Sequence, residues 1–448
     1  MVPATSLSLP PGPRGNPLWG STLRHEREPL ELFTEGFRRY GDLVRFRMGP
    51  RPFYMVCHPD LIRRFLAENA VNYPRESGLP GPLLGNGLFE SEGEYWRRQR
   101  RLIQPAFHRE RLRGLVADMA RSIQRMLDGW DARAGQPFDM AEEMGRLSIR
   151  LVGRAVYSGE PDDALCHALR RLAWLVNNPR HWLVQEVTRR LAINTARRQE
   201  FLAHLGRLDA LAADVIARRR AGGPEDDAMS VLVAAKDRDT GEGMTDKELR
   251  DEFMNLFAAG HEATGTALTW AWYLLAEHPE VAERLASESA AVLGGRAPTA
   301  EDLPRLRYAT QVFEETLRLY PPAWRVTRVA VGADKLGGHD VAPGTVVSAI
   351  SYVVHRHPAF WESPETFDPD RFAPERAQGR HKFSYLPFGA GQHICVGNNL
   401  ALLKGTLALA MAAQRFRAAV APGWKVAIQP GIVLQPRGGL PMTVSPRS

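Results

Sequence analysis

The segment Phe388-Gly-Ala-Gly-Gln-His-Ile-Cys395-Val-Gly397 decides the fold of this 448-residue chain. It places one cysteine at the end of a glycine-punctuated turn, directly before an apolar stretch with helical spacing from Asn398 to about Gln414. A thiolate at a helix N-terminus is stabilised by free backbone N–H groups and by the helix dipole. The three glycines of the segment allow positive φ and let the backbone come close to a flat, bulky ligand.

A porphyrin whose iron takes one axial cysteine thiolate fits such a turn. Taken alone, a single cysteine is usually a small buried hydrophobe, and His393 with Cys395 supplies only two of the four ligands of a structural zinc site. The segment, however, resembles the haem-binding signature of the cytochromes P-450, Phe-Gly-x-Gly-x-(Arg/His)-x-Cys-x-Gly, and matches it at every fixed position. The resemblance implies haem b (iron-protoporphyrin IX) as the cofactor and Cys395 as the iron ligand. The other residues of the turn that would contact the haem are Phe388, Gly389, Gly391, His393 and Gly397.

The domain organisation follows from the absence of divisions in the chain. No Gly/Ser linker, composition break or internal repeat separates the 448 residues, so one large domain is the simplest organisation. The resemblance implies a cytochrome P-450 fold, mainly α with small β-sheets, as a single domain over residues 1–448. In that fold the haem lies between a long central helix and the loop and helix that carry the cysteine.

The N-terminal segment and the cysteine content indicate the compartment. Residues 1–20 are Pro-rich and contain no apolar run, so we expect neither a signal peptide nor a membrane anchor. The three cysteines are odd in number and sparse, which favours a reducing, cytoplasmic location. The net charge of +7 is diffuse, without a basic stripe or a nucleic-acid module, so we expect no nucleic-acid partner.

A second segment predicts the central helix. Thr245-x-x-Glu248 is a capping-box signature, and no proline follows until Pro279. A helix of this length would span about 50 Å. Its middle reads Ala258-Ala-Gly-His-Glu-Ala-Thr264, where small residues leave room either for a flat group or for a closely packed helix.

This middle stretch resembles the family's oxygen-activation motif Ala-Gly-x-(Asp/Glu)-Thr. The resemblance implies that Glu262 is the acid that helps to deliver protons to iron-bound dioxygen. Ala263 stands where the family has threonine, and Thr264 follows about 100° further around the helix, so it does not simply substitute. These three positions are the catalytic candidates. Either an ordered water or a substrate hydroxyl replaces the missing alcohol, or the chemistry needs less proton delivery.

Four residues are candidates for binding the haem propionates. Trp96 and Arg100, on a short helix that a Ser91-x-x-Glu94 capping box is expected to open, resemble the family's Trp-x-x-x-Arg pattern. Arg328 and His393 are further candidate donors, with a solvated strand arginine as the alternative for Arg328.

A helix predicted from Arg307 to Leu319 carries Glu315 and Arg318 at i and i+3. Together with Arg371 they resemble the family's Glu-x-x-Arg motif and its third partner. The resemblance implies a structural triad that braces the haem-binding core.

Electrons must come from another protein, because the chain has no flavin- or nicotinamide-binding segment and no ferredoxin cysteine set. We expect a ferredoxin and a ferredoxin reductase. A basic patch could steer an acidic partner to the chain, with a solvated helix as the alternative. The residues predicted for this patch are Arg97, Arg98, Arg101, Arg109, Arg111 and Lys404.

The substrate is expected to be hydrophobic. Residues 73–90 are predicted to form an irregular apolar loop over a pocket. The resemblance implies that this loop covers the haem and that residues from about 155 to 220 form a mobile lid. Arg325 is the exception: it either anchors a carboxylate or another polar group of the substrate, or lies on a surface strand.

Together with the resemblance to the cytochromes P-450, these features predict a haem-thiolate monooxygenase that uses dioxygen to oxidise a hydrophobic small molecule. The resemblance alone implies a secondary metabolite such as a terpenoid or polyketide. Two alternatives remain. The same fold could perform coupling, desaturation or peroxide-driven oxidation, since Ala263 replaces the threonine, or the chain could be a non-enzymatic haem-binding sensor or carrier.

Overall fold

The computed structural model describes residues 8–16, 18–49, 51–75, 81–177, 195–222 and 225–447. Within these ranges the chain is mainly helical with short strands, in agreement with the predicted fold class. Its residues group into two compact units. The first comprises Met1–Gly78, Leu317–Thr366 and Pro374–Cys395, and the second Leu79–Thr316, Phe367–Ala373 and Val396–Ser448. Neither unit is one continuous stretch, and the single-domain organisation stays a prediction.

The described α-helices are α1 Thr22–Arg27, α2 Pro29–Tyr40, α3 Pro59–Arg63, α4 Gly81–Leu84, α5 Gly93–Ile103, α6 Arg109–Gly114, α7 Val116–Asp131, α8 Met140–Tyr157, α9 Asp163–Asn177, α10 Ala196–Gly222, α11 Ala228–Ala234, α12 Asp246–Glu277, α13 Pro279–Leu293, α14 Arg307–Leu319, α15 Ser351–Val354, α16 Pro374–Ala377 and α17 Asn398–Ala413. The described strands are β1 Leu43–Met48, β2 Arg51–Val56, β3 Phe138–Asp139, β4 Val326–Val329, β5 Asp334–Leu336, β6 His339–Val341, β7 Val346–Ala349, β8 Phe416–Val420, β9 Ile428–Pro430, β10 Leu434–Pro436 and β11 Pro441–Pro446. None of these helices combines the length and the apolar character needed to span a bilayer.

The first unit is built on a four-stranded sheet with the order β1-β2-β7-β4. The β2–β7 pair is parallel and the other two pairs are antiparallel. Alternate strand residues such as Tyr54, Val56, Val347 and Ala349 enter a buried cluster with Phe65. Pairing with β7 fixes the position of β4 in this sheet. Arg325, which was predicted either to bind the substrate or to lie on a surface strand, directly precedes β4.

The second unit is organised around α12, which packs against α8 and α17. The Thr245 side chain accepts a hydrogen bond from the Glu248 N–H, and the Glu248 carboxylate accepts one from the Thr245 N–H. This reciprocal capping box confirms the predicted helix start. The 32 residues of α12 give a length of about 48 Å.

Three other local predictions can be compared directly. The helix from Arg307 to Leu319 is confirmed, and α17 ends at Ala413, one residue before the predicted end. The capping box predicted at Ser91 is wrong, because α5 begins at Gly93 after an N-cap Glu92 that makes no side-chain capping bond. The Ser91 N–H instead donates a hydrogen bond to the Gly87 carbonyl at 3.0 Å, so Ser91 belongs to the turn that precedes α5.

Parts of the predicted apolar loop (residues 76–80) and of the predicted lid (residues 178–194) lie outside the described residues.

Candidate active site

The cysteine turn is closed by its own backbone. The Cys395 N–H donates to the Phe388 carbonyl at 2.9 Å, and the Ile394 N–H donates to the Gly391 carbonyl at 3.2 Å. Gly391 has φ +72°, and a Cβ there would collide with the carbonyl oxygen of Leu66. Only glycine therefore fits this position.

The Cys395 thiol differs from the thiols of the other two cysteines in its exposure to solvent. Cys57 and Cys166 are buried, and burial raises the pKa of both thiols, whereas Cys395 is exposed at the end of the turn. An exposed thiol three residues before the first residue of α17 is a suitable axial ligand for a haem iron. Gly389 has φ +70°, but Gly397, the N-cap of α17, has φ −90°, so positive φ is not needed at Gly397.

The middle of α12 opens to space on one face only. Residues before and after it are buried, yet Ala259 is exposed, and Glu262 and Ala263, at i+3 and i+4 on the same face, are half-buried. These small side chains therefore leave this face of α12 partly exposed, as a flat neighbouring group would require. Thr264 is buried and lies on another face, so its hydroxyl does not take the place of an alcohol at Ala263.

The acid at position 262 is held by a residue that the sequence analysis missed. The Gln435 side-chain amide donates to Glu262 Oε1 at 3.1 Å. Gln435 lies on β10, and the Leu434 carbonyl of the same strand accepts a hydrogen bond from Trp270 Nε1, about two helical turns beyond Glu262 on α12. Nothing in the sequence marks Gln435, which is 173 residues from its partner.

A lysine of α17 contacts the opposite side of the same stretch. Lys404 is fully buried, and its Nζ donates to the Gly260 carbonyl at 2.7 Å and to Ser148 Oγ at 3.2 Å. No carboxylate of the described residues lies within ion-pair distance of it, and burial lowers its pKa to about 7. The neighbouring His261 is also buried, with its Nδ1 bonded to the Phe257 carbonyl at 2.7 Å, and burial lowers its pKa to about 4. A lysine within an apolar helix was a signal that could have identified this contact.

The first half of α12 holds the chain that precedes α5. Side-chain oxygens of Asp251, Glu252 and Asn255 accept hydrogen bonds from the backbone N–H groups of Asn86, Leu88 and Phe89, at 3.0, 3.1 and 2.9 Å. Burial raises the pKa of Glu252 to about 8, so this carboxyl group is protonated at neutral pH. The described end of the predicted apolar loop is therefore tied to the helix that carries the acid.

The predicted propionate-binding residues fall in both units. In the second unit Trp96 is buried on α5, and Arg100 one turn later donates from Nε to Gln104 Oε1 at 3.3 Å. In the first unit Arg328 is buried on β4 and donates to the Thr327 carbonyl at 2.8 Å, while His393 ends the short 3-10 turn before Cys395. Their role toward a haem stays a prediction.

The members of the predicted triad are buried. In the second unit Arg371 Nε lies 3.4 Å from Glu315 Oε1, which also accepts a hydrogen bond from the Asp368 N–H at 3.0 Å. In the first unit the Arg318 guanidinium donates to the carbonyls of His355, Pro364 and Thr366, at 2.9, 2.6 and 2.9 Å. Such contacts fix backbone segments, as expected of bracing residues.

The predicted basic patch is wrong as a set. Lys404 is buried, Arg98 forms an ion pair with Glu248 at 2.8 Å, and Arg101 forms one with Asp237 at 2.9 Å. Arg111 lies 3.2 Å from Asp226, and Arg97 is paired with Glu94. Arg109 donates from Nε to Asn399 Oδ1 at 3.3 Å. Most of these charges are thus neutralised within the chain and contribute little to steering a partner.

Comparison with known proteins identifies the class. A family model described as Cytochrome P450 matches residues 10–441. The chain is 40% identical over 443 residues to cyclooctatin synthase of Streptomyces melanosporofaciens, covering 97% of this chain and 95% of that protein. It is 35% identical over 445 residues to cyclooctat-9-en-7-ol 5-monooxygenase of the same organism (97% and 95%). It is 32% identical over 419 residues to pentalenene oxygenase of Streptomyces avermitilis (92% and 91%).

Among solved structures, the crystal structure of the cytochrome P450DA haem domain matches with a TM-score of 0.87 at 25% identity, over 99% of this chain and 98% of that one. The chain belongs to the cytochrome P450 family and is a P450 monooxygenase. The predicted fold and enzyme class are confirmed. Family membership implies a haem cofactor, the use of dioxygen and a redox partner.

Proposed function

We propose that this enzyme uses haem b to insert one oxygen atom of dioxygen into a hydrophobic terpenoid. The exposed thiol of Cys395, in a glycine turn before α17, is the observation that carries the haem assignment. The names of the similar Streptomyces proteins, cyclooctat-9-en-7-ol 5-monooxygenase and pentalenene oxygenase, support the oxidation of a terpenoid.

Different residues of the chain would bind different parts of the cofactor. Cys395 would supply the thiolate that binds the haem iron, and Trp96, Arg100, Arg328 and His393 would supply donors to the propionates. The turn from Phe388 to Gly397, with glycines at 389, 391 and 397, leaves the thiol accessible. When bound, the haem supplies oxygen activation, which electron donation from the thiolate favours.

Proton delivery depends on Glu262. Its carboxyl group lies on the open face of α12, and the Gln435 amide fixes one of its oxygens. A fixed carboxyl group can accept a proton from solvent and pass it on to a water held beside Ala263. Because Ala263 has no hydroxyl, that water or a hydroxyl of the substrate must take the place of the alcohol. We therefore assign Glu262 as the proton-holding group and Ala263 as the position that shapes the water site, with no proton-transfer role for the buried Thr264.

Haem ligation is tested with the ferrous–CO spectrum. The purified enzyme is expected to show the band typical of thiolate ligation, and Cys395→Ser is expected to lose it. Cys166→Ser, at a buried cysteine, is the matched control and is expected to keep the band. An unchanged band in Cys395→Ser would refute the assignment.

The substrate class is tested by titrating the ferric enzyme with cyclic terpene hydrocarbons and alcohols and, separately, with macrolide polyketides. Terpenoids are expected to shift the haem spectrum at lower concentration. Reaction under ¹⁸O₂ with a ferredoxin and a ferredoxin reductase, the electron donors that we propose, should then place one labelled atom in the product. A shift by polyketides alone would contradict the terpenoid assignment.

Ala263 favours a second candidate function, in which the enzyme performs coupling, desaturation or peroxide-driven oxidation. Without the alcohol on α12, the enzyme would depend less on controlled proton delivery to dioxygen. Product formation with hydrogen peroxide, in the absence of dioxygen and of a reductase, would support it. A strict requirement for both, with label in the product, would favour the monooxygenase.

A further inference from the structure

The side chain of Lys404 extends from α17 to a place where α8 and α12 lie close together. A Cβ on Gly260 of α12 would lie only 3.0 Å from the Val152 side chain of α8. The Lys404 Nζ donates there to the Gly260 carbonyl at 2.7 Å and to Ser148 Oγ of α8 at 3.2 Å. One side chain therefore ties α17 to both helices, and all of these residues belong to the second unit.

Packing alone does not explain a lysine at this position. Lys404 is fully buried, and a methionine of similar length would fill the same space without bringing an ionisable group out of water. Burial lowers the pKa of the lysine to about 7, and no carboxylate of the described residues pairs with it. A residue that costs stability where an apolar one would fit points to a functional role.

The Gly260 carbonyl closes the helical turn that carries the acid. In an α-helix the carbonyl of residue i accepts the N–H of residue i+4, so the helical partner of this carbonyl is the N–H of Thr264. Glu262 and Ala263 lie within that turn. A carbonyl that accepts from both the helix and an outside side chain is oriented by both, so the position of residues 260–264 depends on Lys404.

The polar side chains beside this carbonyl have other partners. The His261 Nδ1 is bonded to the Phe257 carbonyl at 2.7 Å, within α12 itself. The Gln435 amide donates to the Glu262 side chain at 3.1 Å. Gln435 thus holds the carboxyl group of the acid, whereas Lys404 holds the backbone that carries it.

We propose that Lys404 is a positioning residue for proton delivery, because its amine fixes the helical turn on which Glu262 and Ala263 lie. The hydrogen bond does not require the charge, since a neutral amine also donates N–H groups. This inference rests on the proposed function, in which Glu262 holds the proton.

Two measurements on the haem-loaded enzyme test the proposal, and neither requires a known substrate. The first is hydrogen–deuterium exchange of peptides that cover residues 257–266, which reports the local stability of the turn. The second is the fraction of consumed dioxygen that is released as hydrogen peroxide, with electrons supplied by a ferredoxin and a ferredoxin reductase. When proton delivery is misplaced, dioxygen leaves as peroxide after taking up two electrons and two protons, instead of being reduced to water.

Lys404→Met is expected to speed exchange over residues 257–266 about tenfold, as for the loss of one buried hydrogen bond, and to raise the peroxide fraction. Lys404→Arg keeps N–H donors at a similar reach and is expected to retain most of both properties. Thr406→Val is the matched control, because Thr406 is buried on the same helix and its hydroxyl is bonded to Thr310 Oγ1 of α14 at 2.9 Å. This control is expected to leave both measurements at their wild-type values.

Both effects in Lys404→Met, without either in Thr406→Val, would support the proposal. Unchanged exchange in Lys404→Met would overturn it, and equal effects in Lys404→Met and Thr406→Val would overturn it by showing a general loosening of α17. Faster exchange with an unchanged peroxide fraction would leave Lys404 a structural role only and would also overturn it. The proposed function fails on a different result, the absence of the thiolate band from the ferrous–CO spectrum of the wild-type enzyme.

Discussion

Replacing Lys404 by methionine should change how the stability of this enzyme depends on pH. Lys404 is fully buried, without a carboxylate partner among the described residues, and burial lowers its pKa from 10.5 to about 7. Between these two values the unfolded chain binds a proton that the folded chain does not, so the free energy of unfolding rises with pH. Below pH 7 the full cost of burying the charge, about 5 kcal/mol from the shift, is present.

The change of the unfolding free energy with pH tests this effect better than the unfolding free energy at any single pH. Between pH 7 and 9 the wild-type enzyme should gain about 2 kcal/mol relative to Lys404→Met, because the lysine loses its charge progressively. The variant also leaves the Gly260 carbonyl and the Ser148 hydroxyl without this donor, which costs about 1–3 kcal/mol at every pH. This second cost is the same at pH 7 and at pH 9. It therefore does not alter how the stability difference between wild type and Lys404→Met changes with pH.

Urea unfolding of the haem-loaded enzyme, followed by far-ultraviolet circular dichroism at pH 6, 7, 8 and 9, measures the difference. Lys425→Met replaces an exposed lysine and should run parallel to wild type over the whole range. If Lys404→Met also runs parallel to wild type from pH 7 to 9, Lys404 does not carry a buried, titrating charge and the argument fails.

Three further predictions concern α12. Gln435→Leu should lower the fraction of electrons recovered in product and raise peroxide release, because Glu262 loses its orienting donor; unchanged coupling would contradict this. Ala263→Thr should raise that fraction if proton delivery limits the wild type, and testing terpenoids with and without a hydroxyl would show whether the substrate supplies the group. Glu252→Gln should stabilise the fold at pH 8 by about 3 kcal/mol or more, since the raised pKa of Glu252 makes wild-type stability fall as pH rises from 4.5 to 8. Urea unfolding midpoints that fall equally in both proteins over this range would contradict the prediction.

Local signals in the sequence predicted the helices well. The boundary of α12 was set by Thr245 and Glu248, which satisfy each other's backbone groups within four residues. The end of α14 was set by the residues before Pro321, and α17 by its apolar spacing. The start of α5 failed because a backbone bond to Gly87, invisible in the local pattern, kept Ser91 outside the helix.

Charge partners could not be predicted, because they come from distant parts of the chain. Arg98 pairs with Glu248, which is 150 residues away in the sequence, and Glu262 accepts a hydrogen bond from Gln435, which is 173 residues away. A charged side chain in an isolated segment looks like a solvated surface group until its partner is known. For that reason the basic patch was overestimated, and Lys404 was expected at the surface although it is fully buried and bonded to the Gly260 carbonyl.

The middle of α12 is controlled from outside the helix. Its own sequence lacks the alcohol at Ala263 and places Thr264 in the core, so the stretch has only Glu262 as a polar group on its open face. Gln435 from β10 fixes that acid, and Lys404 from α17 fixes the Gly260 carbonyl two residues earlier. Because α17 is the helix that follows Cys395, any shift of this helix would be transmitted through the Lys404 Nζ contact to the stretch that carries the acid. Substitutions at Lys404 and Gln435 should therefore not be additive in their effect on coupling, since both act on the position of Glu262.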